Sequence, residues 1–390
     1  MLSGGLDSSS VATLAASHLK CLNKSLKAYS FIPVSDYIDW LPKDRIASER
    51  DYVEEILKYY DNIDIEYCDF EGLNALSKIN ELTDIMEHPY KIVQNFFWAN
   101  QIAKKASESG CKVLLSGQFG NLSVSSGDMG SYLLAQLKKG RVIKLFTDTG
   151  YYAKLHHVNY SVVLKNFIKL VLPDSIKQMY DKVRGTENNS IEYRELECLV
   201  NSNYAYSNNV DYRLKTYGYG QYRKSNLDMY EMKKMMNDPI LLSQLGCVET
   251  KSSIYHKIAE RDPTRDKRVI EFCMRIPIDQ LVYKGQDRSL IRRGLYGYLP
   301  DKIRNNYYLR GRQSADFVQR LKPHWSIFEN QLTDILNNNS IKKYVDREKI
   351  INAIKNLGSC PKPQDYLVVQ MLIYCLVFGR FILSEGGDAG

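Results

Sequence analysis

Val11, Leu14, Ala15, His18, Leu19 and Leu22 form a mostly apolar series recurring every three or four residues, the spacing of one buried helical face. Beyond it, SLKAYSFIPV reads as a strand, SERDYVEEILKYY as a helix, NIDIEYCDF as a strand, NFFWANQIAKKASESG as a helix, and CKVLLSGQFGN as a strand running into a loop. Such alternation predicts an α/β fold, a parallel sheet with helices on both faces, whose ligands bind at the carboxyl ends of the strands. Two glycine-bearing turns, SGGLDSS at 3–9 and SGQFGN at 116–121, are expected along that edge.

The pattern changes twice. Residues 1–137 form the α/β core, 138–250 an irregular and helical insertion, and 251–390 a mainly helical part that completes the domain. Within the insertion, YSVVLKNFIKLVLP has helical periodicity, whereas NYAYSNNVDYRLKTYGYGQYRK is rich in Tyr, Asn and Gly and reads as a long loop or lid. The apolar run YLVVQMLIYCLVF from Tyr366 is interrupted by Gln370 and is shorter than the ~20 residues that span a bilayer. It reads as a buried C-terminal helix, with no membrane partner.

With 390 residues, 44% of them hydrophobic, the chain can bury a large core. Its formal charge of +8 suits an anionic ligand but is too diffuse to argue for nucleic acid. Eight cysteines, Cys21, Cys68, Cys111, Cys198, Cys247, Cys273, Cys360 and Cys375, show no C-x-x-C pair and read as reduced, mostly buried thiols of a cytoplasmic protein. The adjacent His156 and His157 point apart on a strand or helix, which favours structural roles over zinc.

The first turn carries the chemistry. Gly4 and Gly5 open backbone conformations closed to residues with a Cβ, so that several N–H groups can converge on one anion. Asp7, Ser8, Ser9 and Ser10 stand where the helix begins; they can cap it, and its first-turn N–H groups favour an anion. The terminal Gly-Lys-Ser/Thr of a Walker A loop and the G-x-G-x-x-G spacing are both absent.

SGGLDSS resembles the pyrophosphate-binding loop of ATP pyrophosphatases, in the Leu-Asp-Ser-Ser form of the asparagine synthetase family. KVLLSGQFGN resembles that family's second loop, Ser-Gly-Glu-Gly-x-Asp-Glu: Ser116 and Gly117 match, Gln118 replaces the glutamate and Asn121 the metal-binding aspartate. KIAERDPTRDKR is similar to the family's Glu-x-Arg-x-Pro-Phe-x-Asp segment through Glu260, Arg261, Pro263 and Asp266, with Thr264 in place of phenylalanine. QDRSLIRRGLYGYLPDKIRNNYYLRGRQSADF resembles the arginine-bearing helix, the Leu-Pro turn and the basic residue before glycine, here Arg310. The Gln and Asn variants resemble a subgroup associated with peptide natural products, including lasso-peptide cyclases.

The resemblance implies an adenine nucleotide alpha hydrolase-like fold and an AMP-forming carbon–nitrogen ligase. A carboxylate would attack the α-phosphorus of ATP, and an amine or ammonia would then displace AMP. Backbone N–H groups from Ser3 to Asp7, through Gly4, Gly5 and Leu6, would hold the phosphates with Ser8 and Ser9. Asp7 would bind Mg2+; Leu2, Ile32, Ser116, Gly117 and Gln118 would line the nucleotide; Arg310 would pair with pyrophosphate; Glu260 or Asp266 would orient or deprotonate the amine. The carboxylate would be aspartate or a peptide, and a separate glutaminase domain or a precursor-binding protein are the implied partners. Asparagine production is one alternative and an inactive nucleotide-binding scaffold another. Of the hydrophobic strand that the family runs into SGG only Leu2 remains, so the expectation is a natural start upstream of Met1.

Overall fold

The structure, a computed structural model, describes residues 1–172, 176 and 199–385, apart from 91, 223 and 225. Among the described residues, six short strands form three parallel pairs: β1 (Leu26–Phe31) with β3 (Ile63–Cys68), β2 (Arg45–Ile46) with β6 (Arg310–Gly311), and β4 (Val113–Leu115) with β5 (Ala259–Arg261). The first residues of the chain lie between two of these pairs. Leu2 N donates to Tyr29 O at 2.8 Å and Met1 N to Leu115 O at 2.7 Å, so Met1 and Leu2 join β1 to β4.

Helix α1 (Leu6–Cys21) starts directly after the first glycine turn, α2 (Arg50–Leu57) and α4 (Val93–Glu108) pack on the strands, and α3 (Ile79–Met86) packs into the C-terminal helical core. The face that α1 buries is not the one its leucines predict. Leu6, Ser9, Ser10, Ala12, Thr13 and Ala16 are buried, while Leu14 and Leu22 are 44% and 52% exposed. Small residues let α1 lie close to the sheet, where Ala12 and Ala16 pack with Leu2, Ala28, Val53, Ile56 and Ile63.

Helix α5 (Met129–Lys138) closes the first segment, and the insertion supplies α6 (Val142–Leu155) and α7 (Tyr160–Val171). The Tyr- and Asn-rich stretch is helical where a loop is expected: Ser202–Ser207 and Val210–Tyr217 are helices, the first capped by the Asn201 side chain on the amides of Asn203 and Tyr204. Its tyrosines stay at the surface, with Tyr206 87% and Tyr212 70% exposed; Arg223 of this stretch lies outside the described residues.

The last third is helical as expected but also contributes β5 and β6, the partners of β4 and β2. Helix Tyr366–Glu385 buries Tyr366, Val369, Leu372, Ile373, Leu376 and Val377 in a core shared with Phe317, Trp325, Phe328 and Leu332. It runs longer than the apolar stretch alone indicates: by length and composition Pro363–Ser384 is sufficient to cross a membrane, although its apolar side is seated in that core. Of the seven described cysteines, all free, Cys68, Cys273 and Cys375 are buried and Cys21, Cys247 and Cys360 are exposed, so most are not buried; Cys198 lies outside the described residues. His156 is buried and ringed by Tyr152, Tyr307 and Tyr308.

Candidate active site at the facing glycine loops

The turn before α1 is held by its own hydroxyls. Ser8 Oγ and Ser9 Oγ donate to Ser3 O at 3.1 and 2.9 Å, the Ser3 and Ser8 hydroxyls lie 2.7 Å apart, and Gly5 N donates to Ser3 Oγ at 3.2 Å. The serines therefore brace the loop and do not cap α1, whose N-terminus at Gly5 has no side-chain cap. An uncapped helix start presents N–H groups and the positive end of the helix dipole to an anion.

The second loop closes against this one. A Cβ at Gly117 would come within 2.9 Å of the Asp7 carbonyl group and 3.0 Å of Ser8 N, and one at Gly120 within 2.4 Å of Asp7 Oδ1. Only glycines permit so close an approach. The two glycine turns therefore meet at the carboxyl ends of the strands. Ile32, just past β1, donates its amide to Cys68 O at 3.0 Å. Leu2 and Leu6 place their side chains in the core, leaving their main chain for the loop. Gln118 and Asn121 are exposed.

Asp7 is the charged group of this junction. Its Oδ1 is buried without a hydrogen-bond partner, and burial pushes its carboxyl above the usual range, against the pull of Ser125, Arg288 and Arg292 and with the repulsion of Asp262. An unbonded carboxylate oxygen beside a phosphate loop fits a hard divalent cation. Among the described residues no group of three His, Cys, Asp or Glu side chains could hold a metal alone. Asp7 could therefore contribute a single carboxylate to a divalent cation such as Mg2+, whose remaining ligands would have to come from outside the protein side chains.

The third motif packs beside the second. β5 runs parallel to β4, Leu115 opposite Arg261, and Ser116 N donates to Arg261 O at 3.0 Å. Asp262, which follows, accepts from Phe119 N at 2.7 Å and from Thr264 N and Oγ1 at 2.9 and 2.6 Å, and Ser123 Oγ donates to Thr264 O at 2.7 Å. Thr264, which stands where the family has phenylalanine, is thus a buried hydrogen-bonding residue.

The two candidate acid–base residues differ. Glu260 and Asp266 both line an open recess of ≈ 620 Å³ together with Glu249, Arg261, Arg265 and Arg268. Asp266 caps the following helix, Lys267–Arg275, and pairs with Arg268 at 2.9 and 3.0 Å, which holds its carboxyl down at about 2. A carboxyl that acidic is a poor proton acceptor near neutrality. Glu260 is bonded by the Ser252 hydroxyl, and burial raises its carboxyl; its charge adds to burial in pushing the Tyr90 phenol up to about 12.

Arg310 stands on β6 beside Gly311, which packs against Glu49. Arg310 N donates to Asp44 O at 3.1 Å and Arg312 N to Ile46 O at 2.8 Å, and the Arg310 side chain is exposed. Two groups that the sequence reading did not single out complete the surroundings. Glu49 lies between the first loop and Gly311, and its carboxyl is raised to about 7 by burial, with Ser3 opposing. Arg292 donates to Asp287 O at 3.0 Å, to Asn306 O at 2.9 Å and to Arg304 O, and stacks on Tyr307 at 4.6 Å; burial lowers its guanidinium to about 10. It fixes the chain that leads toward Arg310.

Two glycine loops facing each other at the carboxyl ends of short parallel strands suit the phosphates of a nucleotide, and the family comparison makes the chain an ATP-dependent synthetase of the amide-forming kind. The family model for asparagine synthase matches residues 1–367, and the chain belongs to that family. No curated protein matches it.

Proposed function

We propose that this synthetase activates a carboxylate as its acyl-adenylate, releasing pyrophosphate, and then passes the acyl group to an amine or ammonia with loss of AMP, in the modification of a peptide natural product. The observation that carries the reading is the seating of Gly117 on the Asp7–Ser8 peptide, which sets both loops around one anion-binding helix start.

The physical difficulty is charge, since a carboxylate approaching a triphosphate is repelled until its oxygens are neutralised. The Ser3–Asp7 amides would hold the β- and γ-phosphates, braced by Ser8 and Ser9. Ile32, Ser116 and Gly117 would flank the nucleotide, with Gln118 at the exposed rim. Mg2+ held by Asp7 would supply charge neutralisation. Arg310 would meet the departing pyrophosphate. Glu260, raised by burial and lining the recess beside β5, is better suited than Asp266 to take a proton from the amine.

ATP–pyrophosphate exchange tests the reading. Exchange is expected with a peptide carboxylate and not with free aspartate. Exchange driven by free aspartate would turn the assignment to asparagine formation, and absence of ATP binding would turn it to a scaffold.

A further inference from the structure

Glu49 has no part in the scheme above, yet it lies against Ser3, Gly4 and Gly5 of the first glycine loop. It stands at the start of α2, and its carbonyl accepts from Tyr52 N at 3.0 Å and Val53 N at 3.1 Å. Its main chain and Cβ share the space beneath Gly4 with Tyr52: a Cβ at Gly4 would meet Tyr52 Cβ first and would lie 3.0 Å from Glu49 O and 3.1 Å from Glu49 Cβ. Its carboxyl occupies the other gap. An added Cβ at Gly311 would sit 2.6 Å from Oε2 and 2.8 Å from Oε1, and one at Gly5 3.6 Å from Oε1. One side chain thus separates the loop that would carry the phosphates from the strand that carries Arg310 and Arg312. Gly311 makes room for the carboxyl on one wall, and Gly5 lies in contact distance on the other.

We propose that Glu49 is a positioning residue that sets the spacing between the Gly4–Gly5 loop and the Arg310–Arg312 strand, and that it does so as the neutral acid while the phosphate end of the nucleotide is bound. The inference rests on the synthetase reading. An ionised carboxylate buried against the loop would repel the incoming phosphates, whereas a neutral one keeps the same shape without that repulsion. The groups around it allow a change of charge: Ser3 faces it from the loop, Tyr52 with Asp51 from α2, and Gly311, flanked by Arg310 and Arg312, from β6. Its raised carboxyl agrees with this, since phosphate binding would push it higher still.

The test is calorimetric binding of magnesium pyrophosphate to the full chain at pH 6 and pH 8.5, for the wild type, Glu49→Gln and Glu49→Ala, each checked by its melting temperature. Glu49→Gln keeps the shape and the neutrality, so it should bind like the wild type at pH 6 and about tenfold more tightly than the wild type at pH 8.5. Titration of the ligand cancels in that ratio. Glu49→Ala, which empties the gap, should bind at least tenfold more weakly than Glu49→Gln at both pH values. A ratio of wild type to Glu49→Gln that is the same at both pH values would overturn the proposal, and so would wild-type affinity in Glu49→Ala. Failure of the wild type itself to bind pyrophosphate or ATP would instead remove the synthetase reading, and the proposal with it.

Discussion

The Asp262 carboxylate accepts the Phe119 amide at 2.7 Å, so the chain leaving β5 holds the loop that leaves β4, although the two residues are 143 positions apart. The bond is buried, and removing the acceptor leaves an unpaired amide and an unanchored Thr264, a loss of roughly 1–3 kcal/mol. Asp262→Ala should lower stability to denaturant by about that amount and raise the KM for ATP more than it lowers kcat. A KM equal to that of the wild type would show that the loop does not depend on this anchor.

Gly117→Ala should have a different signature. The new methyl would meet main-chain atoms of Asp7 and Ser8, which cannot move aside as a flexible side chain can. The loops would be pushed apart, and ATP–pyrophosphate exchange should fall by two orders of magnitude or more. Retention of exchange would contradict the close seating on which the functional reading rests.

Asp7→Ala should abolish exchange while leaving the circular dichroism and melting temperature unchanged or slightly raised. The variant deletes a buried carboxyl with an unbonded oxygen, a group that costs stability and is retained for its function. A large drop in melting temperature would show that Asp7 is a structural residue. In the neighbouring loop, Asn121→Asp adds a charge at an exposed position, and a magnesium titration of exchange should shift to lower concentration.

Arg320 and Asp316 form a buried pair at 2.6 Å, and Arg320 also donates to Phe70 O at 3.1 Å and Leu73 O at 3.2 Å, while Asp316 accepts from Val34 N at 3.0 Å. Arg320→Met would strand the Asp316 charge in the core. The expected loss is about 3–5 kcal/mol, and the double variant with Asp316→Asn should recover part of it. Urea unfolding of the wild type and the two variants measures both effects.

Asp287 gives the clearest pH signature. Its carboxyl is raised to about 7 by burial and by Asp128, against the Met129 amide, Arg292 and Arg288. The folded state therefore binds a proton more tightly than the unfolded chain. Its contribution to stability is complete below the ordinary carboxyl range and is lost as pH rises through about 7. Asp287→Asn should match the wild type near pH 4 and melt higher than it at pH 8. Parallel melting curves across that range would show that this carboxyl ionises normally.

Much of this was readable from residue order. The two glycine turns are local signatures, because a position that cannot carry a Cβ must be glycine wherever the chain folds, and both turns lie where the alternating elements put them. The face of α1 was misread because proximity to the sheet selects Ala12, Thr13 and Ala16 over leucine, and small residues leave no hydrophobic stripe. The two-residue pairing of β2 with β6 is too short to show alternation. Glu49 was invisible for another reason: a lone glutamate before a helix looks like a solvated N-terminal charge, and only Gly4, Gly5 and Gly311 reveal what surrounds it. The helices within residues 202–217 were hidden by tyrosines and asparagines, which the surface tolerates in either state.

The pairing of β4 with β5 also has a consequence for biosynthesis. While the chain is being made, the loop that leaves β4 stays without its Asp262 anchor until 143 further residues have been added. Closing so long a span is slow relative to local helix formation. Competence to grip a nucleotide should therefore arrive abruptly, and only after that span has closed.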